Sequence, residues 1–504
     1  MRRFHAVAGM LGAGMSLAAS ELAAGLVSPL PSLVEEVGDV VVDNAPTAVK
    51  DWAIATFGTY DKPVLLAGIV VVSLVLGALV GVASVSRRWL ATLVFWGFGA
   101  LGAAAAIVEG VSPVAAVAAG VLAAVVGWAV HSWLARRAEP IREGDEFDAS
   151  RRAFLAGAGA VIAVAALSAG AGRLLVDRAR RIVAGRESVR LPVAASPAPT
   201  PPANASFSVA GLSPLVTPNE DFYRIDTALS IPRVDLPSWS LRITGMVDRP
   251  YELTFDDLLE MDLVERYVTL SCVSNEVGGN LVGNAAWLGV PLAEVLDRAG
   301  VRQGASQIVG RSVDGFTVGF PTDVVYDGRE SLVAVGMNGE PLPLEHGFPA
   351  RLVVAGLYGY VSATKWLSEI ELTTWEAFDA YWVPRGWAKE GPVRTQSRID
   401  TPRAGDRLTP GERAIAGVAW APNVGIERVE VQVNDEPWVE AELAEPLGED
   451  AWRQWRFRWE AQPGHHVIKV RATDRNGVTQ TEDRAPPAPD GATGWHTIRV
   501  RVEA

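Results

Sequence analysis

Residues 270–292 read LSCVSNEVGGNLVGNAAWLGVPL. The preceding run, RYVTLSCV at 266–273, has the apolar, β-branched character of a strand. Cys272 therefore falls at a strand end, beside a turn rich in Gly278, Gly279 and Gly283. Such a turn predicts backbone that approaches a bulky ligand closely. A thiolate is a soft ligand suited to a transition metal. Cys272 is also the one cysteine of the chain. That excludes an intrachain disulfide framework, a multi-cysteine zinc or iron–sulfur site and a CxxCH haem attachment. On cysteine statistics alone, Cys272 reads equally well as a small buried hydrophobe.

Two other segments change that balance. One is Asn219-Glu220-Asp221-Phe222-Tyr223-Arg224-Ile225-Asp226; the other is HGFPARLVV at 346–354, followed by Tyr358-Gly359-Tyr360 and Lys365-Trp366-Leu367. They supply Arg224, His346, Arg351 and Lys365, cations and donors able to hold an anionic, phosphate-bearing cofactor and an oxyanion. A single cysteine does not hold a metal unaided, so the remaining ligands must arrive on a cofactor. The dithiolene sulfurs of a pterin cofactor would fill that role. Taken singly, each segment has a plain structural explanation, a loop with a salt bridge or a capping carboxylate, and a lone arginine is more often structural. The joint occurrence is more specific.

In this order and spacing the three segments resemble the molybdopterin-binding domain of the sulfite oxidase family, over about residues 215–390. The chain from 395 onward resembles that family's dimerisation domain. The resemblance implies Cys272 as molybdenum ligand, and Asn219, Tyr223, His346, Arg351, Ser362 and Lys365 as residues holding the pterin and its phosphate. Arg224 matches the family's substrate-pocket arginine, and Tyr381, in DAYWVPRGW, lies near its active-site tyrosine. Two departures stand out. Glu276 and Val277 follow Asn275 where animal and plant sulfite oxidases carry an arginine, and Ile225-Asp226 stands where they show Asn-His. Both lower the local positive charge and should weaken binding of a small dianion.

The 504 residues carry a net charge of −13, and 49% are hydrophobic, skewed towards the first third. An acidic chain of this kind argues against nucleic-acid binding. Apolar runs at about 7–30, 64–85, 89–108, 111–134 and 153–175 approach the length of membrane-crossing helices, with small residues that permit close packing. Arg2, Arg3, Arg87, Arg88, Arg136, Arg137 and Arg142 fall on one side of this threading, while Glu35, Glu36, Asp39, Asp43 and Asp61 fall on the other. The N-terminus is then inside and everything after the fifth run outside. Arg173, Arg178, Arg180 and Arg181 oppose that orientation. Residues 150–155, SRRAFL, resemble a twin-arginine export signal, which suits a domain that must cross already folded around its cofactor. An ordinary positive-inside flank is the plainer alternative. Gly157-Ala158-Gly159-Ala160-Val161 follows no strand, so it reads as helix packing and not as a dinucleotide loop.

The expected organisation is a transmembrane helical region (1–178), a semi-rigid linker (179–211) containing LPVAASPAPTPPANASFSVA, a molybdopterin-binding domain (212–392) and an immunoglobulin-like dimerisation domain (393–504). The fold class is thus multidomain: a helical bundle, an α+β sulfite-oxidase-type domain and an all-β sandwich of about seven strands. His465, His466 and His496 lie in the last, but adjacent strand residues point to opposite faces, which disfavours a metal site there. The implied function is two-electron oxygen-atom transfer on a small oxyanion or oxide, with sulfite oxidation as the family's reaction. Its partners would be an external electron carrier such as a cytochrome and a second copy of the chain. No haem-binding domain is visible; His5 and His131 would lie near the cytoplasmic face, a bilayer away from the metal. No paired-carboxylate or nucleophile–base arrangement demands a hydrolase. The rivals are a sulfoxide or N-oxide reductase on the same cofactor, and a non-enzymatic anchored adhesion protein with a degenerate pocket.

Overall fold

The computed structural model describes residues 2–27, 30–46, 49, 52–53, 56–57, 60–138, 145–229, 231–232 and 234–503, without the side chains of 145–150 and 176–184. Arg142 and the side chains of Ser150, Arg178, Arg180 and Arg181 thus lie outside the described residues. The chain divides into two compact units: Met1–Val183 with Thr227–Ile231, and Ala184–Asp226 with Pro232–Ala504.

Five helical stretches of the first unit are long and apolar enough to cross a membrane: Arg2–Leu26, Asp61–Ser84, Trp89–Val108, Pro113–Ala138 and Arg151–Leu175. They correspond to the five apolar runs. Close approach is made by small residues, Gly9 against Gly77 and Gly81, and Gly99 against Gly120. Gly157, read above as a packing residue, lies against Trp133. A sixth helix, Leu33–Asn44, was not anticipated; Ser32 caps it by accepting a hydrogen bond from the Glu35 amide, and Glu35 and Glu36 occupy its first turn. Within this unit Arg173, one of the arginines opposing the orientation, forms an ion pair with Glu35. Phe154 of the SRRAFL motif is buried against Phe4, Ala8 and Leu134, so this residue takes part in helix packing.

The middle part of the second unit holds two sheets. One has the order β2-β1-β10-β5-β6, with β1 Ser240–Gly245, β2 Tyr251–Thr254, β5 Gln307–Ser312, β6 Thr317–Pro321 and β10 Leu367–Thr373. The other has the order β3-β4-β7-β8, with β3 Val264–Ser271, β4 Val282–Pro291, β7 Ser331–Met337 and β8 Glu340–Pro341, and β9 Arg351–Val354 also pairs with β7. Strands β4 and β7 are buried along nearly their whole length, as strands covered on both faces must be. Residues 396–502 form a four-stranded and a five-stranded sheet around a shared core in which Ile415, Trp455, Val429, Ile468 and Val470 are almost wholly buried.

The Pro/Ala-rich segment is extended but does not stand free, contrary to its reading as a linker. Ser196 bridges to Val264, the Ala195 amide donates to the Leu263 carbonyl, and Arg266 donates to Ser196. Farther on, the Phe207 amide donates to the Gln454 side chain, and Ala205 is buried beside Leu447 and Ala451. Proline fixes the backbone but leaves carbonyls and neighbouring amides free to pair, so an extended proline-rich strand can be laid along a domain surface as readily as through solvent.

Candidate active site around Cys272

Cys272 immediately follows β3, and the turn beyond it closes on itself. The Cys272 amide donates to the Leu281 carbonyl (2.9 Å), the Asn275 amide to the Cys272 carbonyl (3.0 Å) and the Leu281 amide to Asn275 Oδ1 (2.8 Å). The thiol is 7% exposed. Burial pushes it above the ordinary range for a thiol, while hydrogen bonds from Ser274 and the charge of Lys365 pull the other way. Metal coordination would displace that proton, because the thiolate is the ligating form.

The glycines of this turn serve another purpose than the sequence suggested. Gly278, at φ +81°, lies under the ring of His496, and a Cβ added to Gly283 would sit 2.7 Å from the Phe222 ring. The backbone approaches protein side chains at both places. Arg398 fastens the turn by donating to the Gly279 carbonyl (2.9 Å) while paired to Asp400 (2.6 Å). His496 Nδ1 accepts from the Ile399 amide (2.9 Å), so this histidine buttresses the cysteine turn. None of this was legible, since Arg398 and His496 lie more than a hundred residues downstream of Cys272.

The segment preceding Arg224 is seated across β4 and the β7–β8 turn. Asn284 of β4 donates through Nδ2 to the Leu215 carbonyl (2.9 Å), and Thr217 exchanges main-chain and side-chain bonds with it. Asn338 donates to the Thr217 carbonyl (2.9 Å) and to Asn219 Oδ1 (2.8 Å). Asn219 itself donates to Glu340 (2.5 Å) and to the Met337 carbonyl (3.3 Å). Its own carbonyl accepts from His346 Nε2 (2.9 Å), which fixes the tautomer. Phe222 stacks on Tyr223 and meets His346 edge-on, so the two segments share one aromatic core.

His346 lies in a short 3₁₀ turn and Arg351 opens β9. Arg351 is 5% exposed, stands 5.0 Å from the centre of the Trp287 ring and donates to the main-chain carbonyls of His346 (3.1 Å) and Leu352 (3.4 Å). No carboxylate offsets its charge among the described residues. Burial depresses its pKa to about 10. Lys365, 8% exposed, donates to Asp226 (2.7 Å) and to the Glu345 carbonyl (3.1 Å); burial brings it to about 8 despite the carboxylate. Gly347, at φ +108°, lets the chain pass Lys365, whose Cβ would be 2.9 Å from an added one. Trp366 is itself held left-handed (φ 49°) by bonds to Leu344 and Gly347, a non-glycine conformation of the kind that collects at functional sites.

Of the nine expected residues, shared contacts link Asn219, Tyr223, His346 and Arg351 through Phe222 and the His346 turn, and Arg224 to Lys365 through Asp226. Cys272 feels Lys365, and Tyr223 feels both Cys272 and Arg351 electrostatically. Ser362 is fully buried and donates to the Tyr358 carbonyl (3.0 Å). Tyr381 sits in a different group, packed against Phe316, Trp382 and Arg385. Arg224 is paired to Asp226 (2.9 Å), a partner the sequence showed only as a departure.

Burial, with Arg351 and Lys365 nearby, holds His346 down at about 4, and burial with Arg398 holds His496 at about 4. Both imidazoles are neutral in the folded chain when the unfolded chain, at about 6.5, already takes protons. Stability is therefore complete above pH 6.5 and is lost as pH falls towards 4, by about 3 kcal/mol per imidazole. Urea midpoints read by tryptophan fluorescence on the detergent-solubilised chain should drop across that window, and His346→Gln should flatten the drop.

The sequence pattern of the family described as the oxidoreductase molybdopterin binding domain matches residues 228–382. Mitochondrial sulfite oxidase of Rattus norvegicus is 27% identical over 339 residues, 57% of this chain and 62% of that protein. Sulfite oxidase of Arabidopsis thaliana is 29% identical over 356 residues, 58% of this chain and 89% of that protein. The uncharacterised oxidoreductase YuiH of Bacillus subtilis (strain 168) is 34% identical over 157 residues, 31% of this chain and 76% of that protein. Among solved structures, the sulfane dehydrogenase SoxCD of Paracoccus pantotrophus shares the fold with a TM-score of 0.50 at 23% identity, over 58% of this chain and 85% of that one. The chain spans 62% of the length of the mammalian relatives. The matched domain is of the molybdopterin-binding oxidoreductase class, within a fold shared with the sulfane dehydrogenase SoxCD. The chain belongs to the sulfite oxidase family.

Family membership implies a molybdenum–pterin cofactor. The residues present fit it: a buried soft donor in Cys272, and in Arg351 a buried cation whose protein partners are neutral carbonyls. An anionic phosphate answers that uncompensated charge.

Proposed function

We propose that this chain is a membrane-anchored, extracytoplasmic enzyme that carries out two-electron oxygen-atom transfer on a small oxyanion or oxide. The observation that carries this reading is Arg351, which lies buried in the same domain as the buried Cys272 and, among the described residues, has no carboxylate partner. Cys272 would ligate molybdenum; Asn219, Tyr223, His346, Arg351, Ser362 and Lys365 would hold the pterin and its phosphate. Asn219 and Ser362 would act largely through their neighbours, since the amide of Asn219 and the hydroxyl of Ser362 already serve protein partners. Arg224 would face substrate and Tyr381 would donate a hydrogen bond to it. The cofactor supplies the redox chemistry, and the protein supplies orientation and electrostatics. If sulfite is the substrate, water provides the oxygen and two electrons leave for an external carrier such as a cytochrome.

The helices of residues 1–178 would anchor the chain, with SRRAFL at 150–155 directing export and the segment 179–211 leading to the domain of 212–392. Residues 393–504 would form an immunoglobulin-like sandwich that pairs two copies. Reduction of a sulfoxide or N-oxide is the second reading. It is favoured by one observation, the carboxylate of Asp226 between Arg224 and Lys365, which lowers the site's appeal for a dianion. The adhesion reading leaves the buried Arg351 and Lys365 without a purpose.

The test is elemental analysis of chain produced with cofactor supply, followed by parallel dye assays. One molybdenum per chain is expected, with either sulfite-dependent dye reduction or sulfoxide-dependent oxidation of a reduced dye. Metal-free protein, or turnover without any added carrier or dye, would overturn the proposal.

A further inference from the structure

Cys272 is held on both sides by residues of 396–502. Three residues before it, the Thr269 amide of β3 donates to the Asp450 carbonyl (2.9 Å), and Thr269 Oγ1 accepts from the Trp452 amide (2.7 Å). After it, the chain leaves the turn at Val282, which is buried against Val418, Trp420 and Trp452. Between these two clamps the Gly279 carbonyl of the turn is taken by Arg398. Arg398 is 9% exposed and gives each of its three nitrogens to a different partner: Nη1 to Gly279 (2.9 Å), Nε to Asp400 (2.6 Å) and Nη2 to Ser213 Oγ (2.8 Å). Ser213 closes the set by donating its amide to Asp400 (3.0 Å). We propose that Arg398 is a positioning residue for the oxygen-atom transfer: it fixes the turn that carries the Cys272 sulfur, so the site is complete only with residues 396–502 in place. The inference rests on the reading of Cys272 as the metal ligand, and it adds the residue that places it.

The local backbone is shaped for this grip. Arg398 lies in the strand Gln396–Thr401, whose pairing shifts register between Ile399 and Thr401. Irregularities of this kind re-aim side chains beside active sites. Here the Ile399 amide turns to His496 Nδ1 (2.9 Å), and the His496 ring lies over Gly278 of the same turn. An ion pair that merely joined two strand residues would need only Arg398 and Asp400. The reach to Gly279 adds a path to the sulfur through the turn's own bonds. The Gly279 amide donates to the Glu276 carbonyl (2.8 Å), Asn275 Oδ1 accepts from the Leu281 amide, and the Leu281 carbonyl accepts from the Cys272 amide. A metal ligand must be held within about 0.5 Å by neighbours that are themselves locked. Asp400 and Ser213 lock Arg398, and the charge of Asp400 offsets the desolvation of the buried guanidinium.

Cys272 is the one cysteine of the chain, so its alkylation by iodoacetamide reports on this turn alone. The rate is read on the full-length, detergent-solubilised, cofactor-free chain, together with its urea midpoint. Wild type should label at least about a hundredfold more slowly than the urea-unfolded chain, because the thiol is reached only through opening. Arg398→Met should raise the native rate about tenfold, as loss of a charge-assisted hydrogen bond from a local opening requires. Arg398→Lys, which keeps one donor group, should raise it about threefold. Val431→Ala is the stability control, since Val431 lies in the core between the two sheets and apart from the cluster around Val282. It should lower the urea midpoint and leave the labelling rate within about twofold of wild type. In matured protein Arg398→Met should lower retained molybdenum about tenfold, the common cost of removing a group that orients a ligand. An Arg398→Met rate within about twofold of wild type overturns the proposal. So does a Val431→Ala rate that rises as far as that of Arg398→Met, or a wild-type thiol that labels as fast as the unfolded chain. If Arg398→Met does not fold, the rate of Arg398→Lys decides by the same limits. Labelling needs no metal, so the two levels fail separately. Metal-loaded wild type whose labelling ignores Arg398 defeats the role of Arg398, whereas metal-free matured wild type with the expected rates defeats the ligand reading beneath it.

Discussion

Cys272→Ser is expected to leave the chain folded and to abolish oxidoreductase activity, by at least about a thousandfold. A hydroxyl occupies nearly the volume of a thiol, and hydrogen bonds from Ser274 already reach this position. The cost of burying the more polar group should therefore stay near the lower end of roughly 1–3 kcal/mol. Coordination is a different matter. A thiol loses its proton to a soft metal near neutral pH, whereas a serine hydroxyl holds its proton far more strongly and is a hard donor. The other ligands travel on the pterin, so the variant should retain pterin through Arg351 and the His346 turn while its metal environment changes. The two signals to compare are the urea midpoint, expected within about 2 kcal/mol of wild type, and dye-coupled turnover, expected at background. A fully active Ser variant would remove the central assignment.

How much of this was legible from the chain depended on how local the cause was. Cys272 at a strand end could be read because an apolar run and a glycine cluster are neighbours in sequence. His346 and Arg351 could be read because the six residues 346–351 carry both the end of the turn and the start of β9. Causes that act across the fold were not legible. Gly278 and Gly283 were read as space for a ligand, but His496 and Phe222 fill that space, and no pattern near either glycine names its partner. The Pro/Ala-rich segment was read as a linker from composition, which reports backbone stiffness and is silent on the amides and carbonyls that bond it to Leu263 and Gln454. Helix Leu33–Asn44 was lost among acidic residues read as loop charge, although Ser32 before Glu35 and Glu36 is an N-terminal signal. Asp226 illustrates the middle case. Its identity was seen as a departure that lowers charge, and only the fold shows that it does so by bridging Arg224 and Lys365.

Arg351→Met should act with opposite signs on stability and on cofactor loading. A guanidinium at 5% exposure pays a large desolvation penalty, seen in the fall of its pKa to about 10. That fall corresponds to about 3 kcal/mol against the charged form. Methionine fills much of the same length without a charge, and can rest on the Trp287 ring that Arg351 now covers. What is lost is one fair hydrogen bond to the His346 carbonyl and one long one to Leu352, worth about 1 kcal/mol each. The cofactor-free variant should therefore be as stable as wild type or more so by about 1 kcal/mol, as replacement of buried ions by apolar groups often is. Loading should fail, because the phosphate would meet an apolar side chain where it needs a cation, and retained molybdenum should fall at least about tenfold. Urea unfolding of cofactor-free protein and elemental analysis of matured protein measure the two halves separately. Normal loading would show that Arg351 does not hold the phosphate, and a stability loss above about 2 kcal/mol would make the residue a structural one. The opposed signs are what a binding cation predicts: a buried charge kept at the expense of the fold because something outside the chain completes it.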